Sequence, residues 1–119
     1  MATRVVHFEI PTDDIARASA FYQAALDYVY EPWADDMGMI TPPGDEGISG
    51  DLHVRSATVP HPTVVFTVDD LDETLAKVLA NGGEQLGEIQ PLTETSRWVY
   101  VRDSEGNAIG LHDNNPVVA

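Results

Sequence analysis

His7, His53, His61 and His112 are the side chains best suited to proton transfer or metal ligation in a chain that has no cysteine. An imidazole titrates near neutral pH and offers a nitrogen to a divalent ion. Glu9 follows His7 by two residues, so in an extended segment both side chains share a face, where an imidazole and a carboxylate act as acid and base or as ligands. Without thiols there is no disulfide framework, thiolate nucleophile, iron–sulfur cluster or thiolate zinc site. Any ion must be held by nitrogen and oxygen. A second group is apolar: Trp98 and Tyr100 are two residues apart, as are Met37 and Met39, and such walls suit a planar or apolar ligand. There is no G-x-G-x-x-G after a strand, P-loop, H-E-x-x-H or G-x-S-x-G, so nucleotide, redox-cofactor and hydrolase chemistries have no foothold.

These residues are positioned by an internal repeat. VVHFEIPTDDIARASAFYQAAL and PTVVFTVDDLDETLAKVLANGG each run from an extended apolar segment through Asp-Asp into a helical pattern. Val6, Phe8 and Ile10 alternate with Val5, His7 and Glu9, as Val64, Phe66 and Val68 alternate with Thr63, Val65 and Thr67. Asp13-Asp14 and Asp69-Asp70 read as helix starts, where a carboxylate accepts from free N–H groups, rather than as a catalytic pair. Ile15, Ala18, Tyr22, Ala25 and Leu26 recur at helical spacing, as do Leu71, Leu75, Val78 and Leu79, and Asn81-Gly82-Gly83 is a helix stop. Strands are expected at 28–33, 37–41, 49–54, 84–89, 97–102 and 107–112, with turns at 42–47 and 103–107. Each half is then βαβββ. The modules span about 1–57 and 61–119 of a single domain, joined at Pro60-His61-Pro62. His53 and His61 stand in loop-like surroundings and are expected to face solvent; Asp35-Asp36 and Asp45-Glu46 are expected on a solvated surface.

The paired βαβββ pattern, the FYQAALDY and FTVDDLDETLAKV segments and the closing RDSEGNAIGLHD resemble the vicinal oxygen chelate superfamily of glyoxalase I, extradiol dioxygenases and bleomycin-resistance proteins. Met37-Gly38-Met39-Ile40, Gly47-Ile48-Ser49-Gly50 and Ile109-Gly110-Leu111 place the resemblance nearest its glyoxalase-related branch. The resemblance implies an α+β fold: a curved mixed sheet with helices on the convex side and a ligand cavity in the concave side. If Val6, Phe8 and Ile10 pack under a helix, His7 and Glu9 face that cavity, with Trp98 and Tyr100 on one wall and Met37 and Met39 as their counterparts. Metal-dependent members take ligands from the first and last strands of each module. Here His7 stands at the first position and Thr63 at its equivalent, while Gly110, and a place near Gly50, stand at the later ones. A lone His cannot make a three-ligand site.

Three readings follow. The preferred reading is small-molecule binding in the cavity without a metal, by His7, Glu9, Met37, Met39, Thr63, Trp98, Tyr100 and His112, with His7 a wall histidine satisfied by Glu9, Thr63 or water. The alternative is a glyoxalase-like lyase, isomerase or dioxygenase with Zn, Ni, Mn or Fe on a rearranged site of His7 and His112, aided by Glu9 or His61. Acid–base catalysis by His7 and Glu9 is a third reading. The formal charge of −14, from 6 Lys+Arg against 20 Asp+Glu, disfavours nucleic acid and acidic membranes as partners and concentrates cations. No apolar run is long enough to span a bilayer and the start lacks an apolar signal core, so a cytoplasmic protein is expected. The resemblance also implies a homodimer.

Overall fold

Alternating side chains, an Asp cap and a helical stripe recur twice, and a computed structural model, which describes residues 3–44 and 46–117, forms the same order of elements twice. The first module is β1 (Arg4–Thr12), α1 (Ile15–Leu26), β2 (Val29–Ala34), β3 (Met37–Thr41) and β4 (Gly50–Val54). The second is β5 (Thr63–Thr67), α2 (Leu71–Ala80), β6 (Glu84–Thr93), β7 (Ser96–Arg102) and β8 (Ala108–Asp113). Asp45, expected on a solvated surface, lies outside the described residues. Within the first module the strand order is β2-β3-β4-β1, and within the second β6-β7-β8-β5. The β1/β4 and β5/β8 pairs are parallel and the others antiparallel, so the class is α+β with mixed sheets.

Both helices start at the second aspartate of their Asp-Asp pair. Asp14 accepts from the Arg17 N–H at 3.0 Å, and Asp70 from the N–H groups of Asp72 and Glu73 at 2.8 and 3.2 Å. Each satisfies donors that have no partner inside the helix. The ends differ. Asp27 closes α1 in the left-handed region at φ 59°, whereas α2 closes through Gly82 at φ 88° and a Gly83 N–H that donates to the Val78 carbonyl at 2.8 Å. Ala25 and Leu26 fit the helical stripe by spacing but are exposed, as is Leu79, so both apolar stripes are narrower than their periodicity suggests. β6 continues beyond 89 to Thr93 after a register irregularity between Leu86 and Gln90, where Gly87 adopts φ 90°.

The second module holds the larger buried core: Val68, Leu71, Leu75, Val99, Val101 and Leu111 cluster, with Phe66, Val78, Ile89 and Ile109 against them. Beside that core Arg97 donates through Nε and Nη2 to Asp113 at 2.8–3.1 Å and through Nη1 to Asp72 at 3.1 Å. The Leu71 N–H also donates to Asp113 at 2.7 Å, so the carboxylate fixes the start of α2. Burial alone would raise the Asp113 pKa, but the hydrogen bonds from Arg97, Asn115 and Leu71 outweigh it and hold the carboxyl at about 2. The first module buries less, with Ile40 and Leu52 at its centre. Gly50 lies beneath the Phe8 ring, where a Cβ would approach within 2.4 Å.

Candidate functional site

In the first sheet Glu9 stands opposite Asp51 and Asp51 opposite Met39, while Met37 stands opposite His53. Residues directly across a ladder share a face and alternate residues along a strand share one too. His7, Glu9, Met37, Met39, Asp51 and His53 therefore occupy one face of this sheet. Phe8, Ile10, Gly38, Ile40, Gly50 and Leu52 occupy the other.

Asp51 is the centre of the polar face. It is 4% exposed, and its carboxylate is shared by two imidazoles: His7 Nε2 lies 2.8 Å from Oδ2 and His53 Nδ1 lies 2.9 Å from Oδ1. Burial pushes the carboxyl up, yet the hydrogen bonds from His53 and His7 and the charges of both rings outweigh burial, so its pKa lies below the usual value. The hydrogen bond to Asp51 raises the His53 pKa above 6.5 against desolvation, and the charges of Asp51 and Glu9 add to it. Its other ring nitrogen, Nε2, is buried and has no hydrogen-bond partner among the described residues. Held through Nδ1, the ring presents Nε2 as the atom that could exchange a proton or bind a polar group.

The ligand atoms of His7, Glu9 and Asp51 all lie within 4.8 Å of one another. One nitrogen and two carboxylates suit a divalent ion with open positions. The four positions that the resemblance implies for metal ligands are filled unevenly. Aligning Asp13-Asp14 with Asp69-Asp70 carries Glu9 onto Val65; Glu9 faces Asp51 and Val65 faces Gly110, so Asp51 and Gly110 hold equivalent places. The first module thus supplies two donors, His7 and Asp51, where one was expected. The second supplies Thr63 and a glycine whose added Cβ would meet the Val65 side chain at 2.9 Å. The two-module ligand set does not fit these residues, whereas a three-donor set within the first module does.

In the second module Thr67, Trp98 and His112 stand opposite one another, as do Val65, Tyr100 and Gly110. The rings of Trp98 and Tyr100 meet edge to face with centroids 5.0 Å apart. By the same registers Met37 and Met39 occupy the places equivalent to Trp98 and Tyr100. Thr63 begins β5 and shares the face of Val65 and Thr67 by alternation. His112 Nδ1 lies 3.0 Å from Thr67 Oγ1.

One expectation requires correction. His53 lies on β4 with its ring held by Asp51, not in a solvent-facing loop. His7 gains a partner that was not expected, Asp51. His61 is exposed between β4 and β5, as expected. Asp51 escaped the sequence reading because a strand placed only to within one residue leaves the face undecided. The Asp51-x-His53 spacing, with Leu52 between, was the usable signal.

A bleomycin resistance protein-like N-terminal family matches residues 4–40. A glyoxylase-like domain-containing protein of Didymella fabae is 30% identical over 108 residues, covering 83% of this chain and 84% of that protein. Proteins of Mycobacterium bovis and Mycobacterium tuberculosis named as glyoxylases are also 30% identical, over 102 residues and 82% of this chain, but the chain spans only 39% of their length. A solved glyoxalase/bleomycin resistance protein/dioxygenase superfamily member from Vibrio splendidus shares the fold with a TM-score of 0.69 at 17% identity, over 95% of this chain and 99% of that one. A methylmalonyl-CoA epimerase from Mycobacterium tuberculosis does so with a TM-score of 0.65 at 20% identity, over 94% and 88%. The chain belongs to the vicinal oxygen chelate superfamily, among its glyoxalase-like and bleomycin-resistance-like members. No helix among the described residues is long and apolar enough to cross a membrane.

Proposed function

We propose that this protein binds a small organic molecule without the family's two-module metal centre, through the first-module face of His7, Glu9, Met37, Met39, Asp51 and His53. Thr63, Trp98, Tyr100 and His112 offer a separate candidate surface of their own sheet. The observation that carries this reading is the buried Asp51 carboxylate held between two imidazoles. Such a group is expensive to bury when an apolar residue would serve the core, and titratable groups perturbed in this way concentrate at functional sites. His53 Nε2 supplies a hydrogen-bonding atom, Met37 and Met39 an adaptable apolar surface, and Trp98 and Tyr100 faces for a planar or cationic group. The net negative charge favours cations over anions at this face. A cytoplasmic homodimer is part of the reading, and sedimentation checks its size.

One observation supports a second reading: the approach of His7, Glu9 and Asp51 to within 4.8 Å. A divalent ion held there would act as a Lewis acid toward two adjacent substrate oxygens. His53, through Asp51, would then orient one ligand.

Elemental analysis of untagged protein, followed by anaerobic calorimetric titration with Zn²⁺, Ni²⁺, Mn²⁺ and Fe²⁺, separates the two. No stoichiometric ion is the result expected of the preferred reading. Small aromatic cations should then quench Trp98 in a Trp33→Phe background and bind more tightly than anions of the same shape at low salt. A stoichiometric ion lost in His7→Ala and in Asp51→Asn overturns it, and directs screens toward α-hydroxythioesters, catechols and acyl-CoA thioesters, the last because methylmalonyl-CoA epimerase shares the fold.

A further inference from the structure

A cleft of about 350 Å³ lies on the helix side of the first module, between the end of β1, α1 and the residue after β4. It is separate in composition from the imidazole-carboxylate face. Its apolar surface comes from Ile10 and from Phe21 and Tyr22, whose rings meet at 89° with centroids 5.2 Å apart. Phe21 is 58% exposed, which leaves its ring open to a ligand in the cleft.

The polar groups of the cleft are unevenly satisfied. Thr12 lines it, is only 5% exposed, and its Oγ1 has no hydrogen-bond partner among the described residues. A buried hydroxyl without a partner is costly, and rotation about χ1 would let it turn to a group bound in the cleft. Two of the chain's 6 cationic residues, Arg17 and Arg55, also line the cleft. Arg55 donates to Asp13 at 2.9 Å and to the Pro60 carbonyl. Asp14 is occupied as the cap of α1. The Arg17 guanidinium reaches Asp14 only at 4.0 Å, beyond hydrogen-bond length, and is 74% exposed. The acids of the wall thus already accept from its own donors, and Arg17 retains donors for an incoming oxygen.

We propose that this cleft binds a small aromatic carboxylate that carries a second hydrogen-bonding substituent, with the ring against Phe21, the carboxylate on Arg17 and the substituent on the Thr12 hydroxyl. A volume at the low end of ligand pockets sets the size at a single ring. The site lies apart from the binding face described above and does not depend on that reading.

The test is a titration of isotopically labelled protein with 4-hydroxybenzoate, followed by amide chemical shifts. Shifts should centre on Thr12, Arg17 and Phe21. Wild-type protein should bind 4-hydroxybenzyl alcohol about tenfold more weakly, for the lost charge-assisted bond, and benzoate a few-fold more weakly, for the lost hydroxyl. Arg17→Gln should abolish the preference for the acid, and Thr12→Val the preference for the hydroxyl. The three-ligand comparison on wild-type protein stands even if Thr12→Val fails to fold. No shift at several millimolar ligand, shifts centred on His7, His53 or Trp98 instead, or equal affinity for the acid and the alcohol would overturn the proposal.

Discussion

The two modules share an order of elements and the same helix cap, and they spend their polar residues differently. In the second, the one deeply buried carboxylate, Asp113, is matched by an arginine that stays charged at all ordinary pH, and α2 buries Leu71 and Leu75 over a wide apolar cluster. In the first, the buried carboxylate, Asp51, is matched by two histidines, and α1 buries only Ser19 while exposing Phe21 and Leu26. The second module is built as a permanent ion pair over a core, and the first as a carboxylate shared by two imidazoles.

The largest effect expected from breaking this contrast is at Arg97. Arg97→Met strands a buried Asp113 and should cost about 3–5 kcal/mol, read by urea denaturation. Acid should reach the same pair. Asp113 is held at about 2 against an ordinary 3.8, so its stabilisation of about 2 kcal/mol is complete above 3.8 and disappears as pH falls through 2. Comparing wild type with Asp113→Asn between pH 5 and 2 isolates it. In the first module, Gly50→Ala drives a methyl group into the Phe8 ring and should cost about 1 kcal/mol or more, read as a lowered melting temperature.

The titration of the first module should run in the opposite sense. The His53 pKa is raised, so the contribution of this ring is complete below 6.5 and is lost as pH rises through the folded value. Asp51→Asn should lower the His53 midpoint, followed by the imidazole carbon-bound proton signals; an unchanged midpoint would mean that Asp51 does not set it. The smallest effect is expected of Phe21→Ser, within about 0.5 kcal/mol, because that ring is largely exposed. A large loss there would show that α1 is held as firmly as α2.

The frame of the fold was legible in the sequence because its signals were redundant. Asp14 and Asp70 capped two helices, alternation marked β1 and β5, and the repeat set one against the other. The β3 bounds, Met37–Thr41, agree with the expected strand, while β4 begins one residue later than expected. That small difference hid the centre of the candidate site. In a strand a slip of one residue exchanges faces, so Gly50 and Asp51 could not be told apart until the pairing of Phe8 with Gly50 fixed the register. His53 was misread as loop-like although the strand expected at 49–54 contains it, and its spacing from Asp51 sets both on one face. The Arg97–Asp113 pair was invisible for another: 16 residues separate the partners, and only the antiparallel β7/β8 ladder sets them opposite each other.

The irregular outer strands carry a consequence for aggregation. β2 and β6 each end their module's strand order, and such a strand is a template on which another chain can add. Each contains a proline, Pro32 or Pro91, and at least one acidic residue, with a register irregularity beside the proline. A proline lacks the donor that a new ladder needs, an irregularity twists the strand away from it, and like charges oppose a second copy. Both strands are thereby poor templates for another chain to extend the sheet.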